Sequence, residues 1–408
     1  MSDVAIVFRR TAFNKYSLPL LLGIVERACP GLPTYITDSV ESVGDFLKIY
    51  GRVVVAYSFT TIQLMRTVEE LAFMRGAFGG AVSFIAGGPH VTADPEGSLA
   101  AGFDSVFVGE GERTLSEFAV GLFGGADVLS RRIWIDGNPE PVCIDDYYPA
   151  SLRHGLFGPM EITRGCFYAC GFCQTPRLFG RRIRHRSIES VLRGIDMANK
   201  YAGERLYFLS PNAFSYQAKR AGEINYEAVE SLLSAVKGRG VKDLDIAYFP
   251  SEIRPESINE RTLDLLGRYC SNRKIAVGIQ SGSLPVLKRT GRTSGIPVEA
   301  VALARKKGFT AHCDFIFGFP DETQEEADES IELMTMLIRK YDARIHCHFF
   351  MPLPMTPLWG SLPTGLSEKT KKALLTLRGW GKLDGWWEDQ ERIAFDIVDW
   401  KRRGLIKV

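Results

Sequence analysis

The segment Arg164–Cys173, which reads RGCFYACGFC, decides the fold and the chemistry of this 408-residue chain. Cys166, Cys170 and Cys173 follow the spacing C-x3-C-x2-C, just after a short apolar stretch that predicts a strand. Three thiolates this close cannot form two disulfides, and they fall short of the four ligands of a closed zinc or iron–sulfur site. They suit a [4Fe–4S] cluster with one iron open to a ligand that is not protein. The alternative is a zinc site, which needs a distant fourth ligand such as His185.

This cysteine segment resembles that of the radical S-adenosylmethionine (SAM) enzymes, in which the open iron binds the amino and carboxylate groups of SAM. The resemblance implies that Cys166, Cys170 and Cys173 are both metal ligands and catalytic residues. It also implies that electron transfer cleaves SAM to a 5'-deoxyadenosyl radical. Phe172 matches the aromatic residue that in this family precedes the third cysteine and packs near the adenine.

The composition is that of a globular protein, with 45% hydrophobic and 24% charged residues. A net charge of +2 gives no broad attraction to nucleic acid or membranes. No apolar run reaches the length of a membrane span, and residues 4–8 suit a buried strand better than a signal peptide. The other five cysteines show no pairing pattern, which favours a reducing compartment. We therefore expect a cytoplasmic protein with no nucleic-acid or membrane partner.

Residues 1–130 alternate apolar strands with helices, which predicts a doubly wound, Rossmann-like sheet. The predicted strands are 4–8, 53–57, 82–86 and 105–108, and the predicted helices are 18–28, 62–78 and one from residue 114. Ligands of such sheets bind at the carboxyl ends of the strands. A proline-rich, acidic stretch at 131–158 predicts a linker that packs across both domains.

A second alternation begins at Met160 and predicts a partial (β/α)6 barrel over residues 159–357, followed by a small helical region at 358–408. The predicted strands are 160–163, 205–210, 245–249, 275–280, 310–317 and 345–350, with helices at 188–201, 226–239 and 325–341. Working residues of such barrels lie at the carboxyl ends of strands.

Several of these strand ends resemble the SAM-binding segments of the radical SAM family. Ser210 and Asn212 lie where the family commonly has Gly-Gly-Glu, so the SAM amine needs another partner: one of these two side chains, or main-chain carbonyls. Glu252 and Arg254 resemble the stretch that contacts the SAM carboxylate and ribose; the alternative for them is an exposed ion pair. Gln280 replaces the acid of a common Glu-Ser-Gly segment.

Two further turns extend the resemblance to about residue 357. Gly318 opens a Gly-x-Pro-x-Glu-Thr turn that in the family approaches the adenine, and residues 350–357 are close to the family's Pro-Leu-Pro-Gly-Thr-Pro. His346 and His348 share one face of the last strand, where they would handle protons or pack the barrel. The basic run 181–186 would form a solvated loop or contact an acidic substrate.

The N-terminal region resembles the cobalamin-binding domain that precedes the barrel in one class of radical SAM enzymes, the class B methyltransferases. The resemblance implies that small and polar residues at strand ends hold the nucleotide tail of cobalamin, namely Ser58, Thr60, Gly87, Gly88, Gly109 and Glu110. The Asp-x-His-x-x-Gly segment of the cobalamin mutases is absent after the first strand. No histidine of that loop would therefore ligate cobalt. The alternative is a domain of this kind retained without cobalamin.

Taken together, the resemblance implies a C-methyltransferase that uses a [4Fe–4S] cluster, SAM and cobalamin. A methyl group would pass from SAM through methylcobalamin to an unactivated carbon, with electrons from a ferredoxin- or flavodoxin-type donor. The substrate is not readable; a protein or peptide residue, as in methyl-coenzyme M reductase, is one class. One rival is a cobalamin-using rearrangement or cyclisation without methyl transfer. The other rival is a non-catalytic cobalamin- or cluster-binding sensor.

Overall fold

The computed structural model describes residues 3–198, 205–292 and 297–408, and its contacts divide the chain into two compact units. Of the described residues, those within 1–159, 196–203 and 400–408 form the first unit. Those within 160–195 and 204–399 form the second unit. Each unit has its own sheet system and its own apolar core.

The first unit contains a six-stranded parallel sheet in the order β2-β1-β3-β4-β5-β6. Its strands are β1 (Val4–Arg9), β2 (Thr34–Thr37), β3 (Arg52–Ser58), β4 (Val82–Gly87), β5 (Ser105–Val108) and β6 (Ile133–Ile135). Its helices are α1 (Leu18–Ala28), α2 (Val43–Leu47), α3 (Leu64–Phe78), α4 (Pro89–Ala93), α5 (Pro95–Ala100) and α6 (Glu112–Phe123). The central strands are nearly continuous buried runs, as expected of a parallel sheet covered on both faces.

The order of this sheet confirms the predicted doubly wound, Rossmann-like fold. The chain leaves β1 for β2 on one side and returns to β3 on the other, so the strand order reverses between β1 and β3. Two of its strands were not predicted. β2 is short and partly polar, and β6 comes from the segment interpreted as a linker. That segment also forms the hairpin β7 (Ala150–Ser151) and β8 (Leu156–Phe157), and it clusters with the first unit.

The second unit contains two parallel sheets, β13-β12-β9 and β14-β15-β16-β17, and a small antiparallel pair, β10-β11. A parallel bridge between Ile253 and Val277 connects the two larger sheets. The strands are β9 (Met160–Glu161), β10 (Thr163–Arg164), β11 (Arg184–His185), β12 (Arg205–Leu209), β13 (Asp243–Asp245), β14 (Lys274–Gln280), β15 (Thr310–Phe317), β16 (Arg344–Phe349) and β17 (Leu383–Asp384).

Helices alternate with these strands, as the partial-barrel prediction requires. They are α7 (Thr175–Leu178), α8 (Ile188–Ala198), α9 (Tyr226–Gly238), α10 (Glu260–Tyr269), α11 (Leu284–Arg289), α12 (Val298–Lys306), α13 (Gln324–Tyr341), α14 (Glu368–Gly379) and α15 (Trp387–Arg402). The end of the predicted helix 188–201 lies outside the described residues. Among the described residues, no helix combines the length and the apolar character that crossing a membrane requires.

Three predicted elements of the second unit differ from the structure. The third strand, predicted at 245–249, is wrong: β13 ends at Asp245, because Ala247 adopts a φ of +59° that a strand cannot contain. The first strand is split into β9 and β10. The tail contains more than helix, since β17 pairs in parallel with β16.

Candidate functional site

A cavity of about 500 Å³ opens in the second unit where the strands end. Nine residues that the sequence singled out line its wall: Cys166, Cys170, Phe172, Cys173, Ser210, Asn212, Glu252, Arg254 and Gln280. They follow four different strands, so the fold brings together segments that are far apart in the chain. Gly318 is not among the residues that line this cavity.

The backbone of the cysteine loop is held from three sides. Gly165 has a φ of +88°, and a Cβ there would lie 3.0 Å from the Gly180 carbonyl oxygen, so only glycine fits this turn. The Gly171 amide donates to the Thr290 carbonyl at 2.8 Å, and the Gly171 carbonyl accepts from the Leu358 amide at 3.1 Å. The loop therefore presents its thiols from a fixed main chain.

The basic run 181–186 supports this loop. The Arg181 guanidinium donates to the Phe167 carbonyl inside the cysteine loop at 3.2 Å. Arg186 is almost fully buried and donates to the Glu161 carbonyl at 2.8 Å and to the Ser190 hydroxyl at 3.0 Å. At least two members of the run therefore hold main chain and side chains of the protein itself.

The donor set of the cavity fits an iron–sulfur cluster. Burial raises the pKa of the Cys166 and Cys173 thiols, so the thiolate forms of these two residues are disfavoured unless a cationic group binds them. Of the described residues, no fourth cysteine lines the cavity, and His185 does not line it either. The His185 Nδ1 instead accepts from the Gln217 amide at 3.2 Å. Three ligands with one side open is the arrangement that the spacing predicted.

An apolar layer lies beside the cysteine loop. The rings of Phe172 and Phe319 have centroids 5.6 Å apart, and Phe319 contacts Phe350 at the same distance. Gly318 has a φ of +77°, and a Cβ there would lie 2.2 Å from the Phe349 ring. The predicted turn at Gly318 is thus packed against Phe349, and its next residue, Phe319, belongs to the apolar layer. This layer offers flat apolar surfaces to a purine ring.

Glu322 ties the turn together from inside. Its Oε2 accepts from the Gly318 amide at 2.5 Å and from the Phe319 amide at 3.2 Å. Its Oε1 is buried and has no hydrogen-bond partner among the described residues. Burial raises the pKa of Glu322 to about 7, since neither amide fully offsets the loss of water around the charge.

The loop after β12 offers oxygen acceptors rather than an acid. The Ser210 hydroxyl donates to the Asn212 carbonyl at 2.8 Å, which leaves the lone pairs of its oxygen available to an incoming amine. The Asn212 Oδ1 accepts from the Arg254 amide at 3.3 Å and retains a second lone pair. Both residues line the cavity, which is where a partner for the SAM amine is needed in the absence of Gly-Gly-Glu.

Arg254 is buried and already engaged on two sides. Its guanidinium carbon lies 3.7 Å from the centre of the Tyr168 ring, and its Nε donates to Glu256. The stacking on Tyr168 couples the cysteine loop to the loop after β13. The Nη1 and Nη2 groups of Arg254 remain the part of the fork that can reach a carboxylate.

Arg292 is a site residue that sequence reasoning missed. It lies behind α11, is almost fully buried, and donates from Nη2 to the Gly278 carbonyl. A Cβ at Gly278 would lie 3.0 Å from the Arg292 Nη2, 3.0 Å from the Glu252 Oε2 and 2.8 Å from the Gln280 Nε2. The bare α-carbon of Gly278 thus lets these three polar groups converge. The only sequence signal was the glycine–arginine pair Gly291–Arg292, just after α11.

Asp314, His348 and Gln390 also line the cavity. Of these three, only His348 was considered from the sequence, as a residue that handles protons or packs the barrel. Asp314 lies on β15 and His348 on β16, with their side chains on the same side of the sheet. His346 does not line the cavity, and its Nδ1 contacts Asp384 instead. The two histidines of β16 therefore have different surroundings, although they alternate on one face.

In the first unit, four of the residues predicted for cobalamin lie at the ends of β3 and β4. The Ser58 hydroxyl is 3.3 Å from that of Ser17, and Thr60 caps the short turn before α3. Gly88 has a φ of +99°, and a Cβ there would lie 3.0 Å from the Phe59 main chain. A Cβ at Gly87 would meet nothing closer than 3.6 Å.

The other two predicted residues, Gly109 and Glu110, follow β5. The Gly109 amide donates to the Thr92 hydroxyl at 3.0 Å, and the Glu110 Oε2 accepts from the Val142 amide at 3.2 Å. His90 is fully buried, with its Nδ1 3.1 Å from the Thr61 hydroxyl. It therefore presents no nitrogen at the surface of this unit.

Comparison with known proteins finds a family model, related sequences and solved structures that this chain resembles. Residues 160–334 match the model of the radical SAM superfamily. The chain is 28% identical over 327 residues to an uncharacterized methyltransferase, PH0819, of Pyrococcus horikoshii, covering 74% of this chain and 65% of the relative. It is 25% identical over 250 residues to a tRNA-2-methylthio-N(6)-dimethylallyladenosine synthase of Moorella thermoacetica, covering 59% and 54%. The chain thus spans less than two thirds of the length of these relatives.

Two solved structures share the fold. The radical SAM methyltransferase TsrM of Kitasatospora setae, with cobalamin and a [4Fe–4S] cluster bound, superposes with a TM-score of 0.63 at 18% identity, covering 88% of this chain and 74% of that one. The cobalamin-dependent SAM radical enzyme OxsB, with aqua-cobalamin and SAM bound, gives 0.60 at 17% identity, covering 82% and 52%. These likenesses are structural. They show the fold alone, whereas the match of the family model identifies residues 160–334 as a radical SAM domain.

Proposed function

We propose that this protein is a cobalamin-dependent radical SAM methyltransferase that acts on a carbon atom. The observation that carries the proposal is the shared cavity. Three thiols, oxygen atoms that can accept from an amine, and guanidinium groups that can bind a carboxylate all line it. When bound, the cluster and cobalamin would supply one-electron cleavage of SAM and methyl transfer, respectively. The Pyrococcus relative and TsrM are both named as methyltransferases, which supports the assignment of methyl transfer.

The residues of this chain would then bind, orient and exclude water. Cys166, Cys170 and Cys173 would hold the cluster. Ser210 and Asn212 would accept from the amine of SAM, while Arg254 and Arg292 would hold its carboxylate. Phe172, together with the apolar layer beside it, would cover the adenine and keep water from the reacting atoms.

In the first unit, the ends of β3, β4 and β5 would hold the nucleotide tail of cobalamin. The strand order reverses next to β3, which is where ligands of doubly wound sheets bind. With His90 fully buried, the described part of this unit offers no accessible histidine there. We expect cobalamin to bind without a protein histidine below the cobalt, which electron paramagnetic resonance of the cob(II) form would show as an absence of nitrogen splitting from the protein.

The experiment that tests the methyltransferase proposal counts products. The protein, reconstituted anaerobically with iron, sulfide and cobalamin, is supplied with SAM carrying a labelled methyl group, a strong reductant and candidate substrates. Methyl transfer through cobalamin consumes two SAM for each product, so S-adenosylhomocysteine and 5'-deoxyadenosine should accumulate together with label on carbon. A product of unchanged mass, or SAM turnover without S-adenosylhomocysteine, would contradict it.

A rearrangement or cyclisation is the second candidate, because OxsB is described as a cobalamin-dependent radical enzyme rather than as a methyltransferase. The mass of the product separates the two activities, and a complete lack of SAM turnover would favour a sensor. No feature of the cavity favours a protein or peptide substrate, such as methyl-coenzyme M reductase. The expectation that nucleic acid is not a partner stays a prediction, since some relatives are named tRNA-modifying enzymes. A cytoplasmic location and a ferredoxin- or flavodoxin-type electron donor likewise stay predictions.

A further inference from the structure

Two of the three arginines that line the cavity form ion pairs with glutamates. Glu161 and Arg164 are 2.6 Å apart, and Arg254 contacts Glu256. Glu252 and Arg292 converge at Gly278. Of the three acids that line the cavity, Glu161 therefore has an ion pair, whereas Glu252 and Asp314 have none with a lysine or arginine among the described residues. Burial raises the pKa of Glu252, and the Arg292 charge is the largest effect that counteracts it.

Asp314 has no cationic partner of this kind. Among the described residues, no lysine or arginine nitrogen lies within ion-pair distance of its carboxylate, and its nearest basic nitrogen is the His348 Nε2 at 4.0 Å. The Asp314 side chain is 12% exposed, and it lines the cavity. Burial, with the Glu252 charge as the next cause, raises the pKa of Asp314 well above its usual range. An enclosed carboxylate without a counter-charge is costly, so this site is incomplete as it stands.

His348 does not supply the missing charge. The Gln390 Oε1 accepts from the Phe349 amide at 2.9 Å, which fixes the orientation of the amide group of Gln390. Its NH2 group therefore faces the His348 Nδ1, at 3.3 Å, and that nitrogen must be an acceptor. The neutral ring then carries its proton on Nε2, on the side of Asp314. Burial lowers the pKa of His348 to about 4, so the ring is neutral at physiological pH.

The same tautomer argues against a metal at this place. Asp314, His346 and His348 offer ligand atoms within 4.8 Å of one another, a set similar to the two-histidine, one-carboxylate sites of iron enzymes. A metal on the His348 Nε2 would have to displace the proton there, and the Nδ1 could not take that proton while it faces the Gln390 NH2. The His348 Nε2–H is therefore a hydrogen-bond donor beside the Asp314 carboxylate. A metal would instead need a free lone pair from each of the three residues.

We propose that Asp314, with the His348 N–H beside it, binds an onium group, either an ammonium of the substrate or the sulfonium of SAM. The inference rests on the proposed function, because it takes the cavity to be the place where SAM and substrate meet. An onium centre would give the Asp314 carboxylate the counter-charge that it lacks. The His348 N–H would hold the carboxylate in place and could donate to a polar atom next to the cationic centre.

The test uses the full chain with its cluster reconstituted anaerobically, and compares wild type with D314N by isothermal titration. The control variant is D328N, which removes the carboxylate of Asp328 on α13 that pairs with Lys369 on α14. The sulfonium arm compares SAM with S-adenosylhomocysteine, which lacks the charge. The ammonium arm adds n-butylammonium or the neutral 1-butanol at saturating SAM.

We expect D314N to weaken binding of one onium about tenfold, the effect of losing a charge-assisted hydrogen bond, and to leave its neutral counterpart unchanged. A loss confined to SAM assigns the sulfonium, and a loss confined to n-butylammonium assigns a substrate amine. D328N should match wild type in both arms. In wild type, at least one onium ligand should bind more tightly than its neutral counterpart. This comparison does not depend on the folding of any variant.

Equal affinity of wild type and D314N for both onium ligands would overturn the inference. An equal loss for SAM and S-adenosylhomocysteine would also overturn it, because it would report a changed cavity shape rather than a missing charge. These binding measurements need no methyl transfer. A failure of the proposed function would instead appear as missing S-adenosylhomocysteine in the product assay while onium binding stays selective.

Discussion

Single residues of the second unit set how its cavity handles charge. Cys166 and Cys173 are thiols whose pKa burial raises, and Arg254 beside Cys166 acts in the opposite direction. Such thiols bind a cationic group readily and are poor nucleophiles without one. The residues around them decide which ligand completes the site, so variants of single side chains are informative here.

Replacing any one of Cys166, Cys170 or Cys173 by Ala should remove the visible absorbance of a [4Fe–4S] cluster and abolish formation of 5'-deoxyadenosine. The physical reason is that two thiolates cannot hold four irons. The control is C143A, because Cys143 is exposed and lies in the first unit. Full SAM cleavage by a single cysteine-to-alanine variant of the loop would contradict the assignment.

Glu322 should make the stability of the protein depend on pH in an unusual direction. Its pKa is raised from 4.5 to about 7 in the folded chain. Between these values the folded state holds a proton that the unfolded state has lost, so stability is present at low pH and falls as pH rises through 7. The difference between pH 5 and pH 8 is on the order of 3 kcal/mol.

Thermal unfolding of the full chain at both pH values, under anaerobic conditions, measures this effect. E322Q cannot ionise and should unfold at nearly the same temperature at pH 5 and pH 8, apart from the changes shared with the control. The control is E326Q, because the Arg289 guanidinium lowers the pKa of Glu326 and keeps it ionised throughout this range. An E322Q variant that retains the full pH dependence of wild type would refute the assignment.

Sequence patterns predicted these residues unevenly, and the reason is physical. The cysteine spacing is local, so it could be read directly. Arg292 enters the cavity through a turn after α11, and Gln390 enters from α15, which no local pattern connects to a strand end. His348 lies near Asp314 because β15 and β16 pair in a register that puts both side chains on one side of the sheet. That register is set only in the folded sheet.

At the level of elements, buried parallel strands were the most readable part of the chain. β14, β15 and β16 were predicted to within one residue at each end, because a run of apolar residues bounded by polar ones is what such a strand needs. The predicted bounds of β13 were wrong because the end of this strand depends on the φ of Ala247. β17 failed because two residues form no pattern.

Gly87 and Gly88, at the end of β4, allow an effect on packing to be distinguished from an effect on ligand binding. G88A should destabilise the first unit by about 1–3 kcal/mol, because Gly88 has a φ of +99° and a Cβ there meets the Phe59 main chain at 3.0 Å. G87V should fold, because a Cβ at Gly87 finds only ordinary contacts. If cobalamin approaches this strand end, G87V should nonetheless lose the corrinoid absorbance after anaerobic reconstitution.

The matched control for G87V is G80A, since a Cβ at Gly80 meets nothing within 4 Å and Gly80 lies at the other end of β4. Unfolding temperature and corrinoid content should be measured on the same samples. A G87V protein that folds and binds one cobalamin per chain would show that the tail does not pass Gly87.

At the level of the whole molecule, the first unit is not continuous in sequence. Residues 400–408 cluster with it, although the whole of the second unit lies between them and residue 159. Ile406 is almost fully buried, and the Lys407 amide donates to the Asp94 Oδ2 at 2.9 Å. The Asp94 Oδ1 meanwhile accepts from the Gly97 amide at 3.0 Å and caps α5. The Asp94 carboxylate therefore binds both the N-terminus of α5 and residues 400–408, which return to this unit.

I406A should destabilise the first unit by about 2–5 kcal/mol, the usual cost of truncating a buried isoleucine. Hydrogen exchange measured by mass spectrometry should show faster exchange in α4 and α5, and little change in β14–β16. The control is L405A, because Leu405 is 37% exposed. Equal protection of α4 and α5 in I406A and wild type would show that the segment contributes nothing to this unit.

The returning segment also bears on how the protein is made. A ribosome releases residues 1–159 first, then the complete second unit, and only then the residues that pack beside Asp94. During synthesis, the first unit therefore lacks part of its packing, and the position that Ile406 later fills is open to water. Its final packing follows the synthesis of residues 400–408, so a translation product that stalls within the second unit would carry an incompletely packed N-terminal part that proteases can cleave.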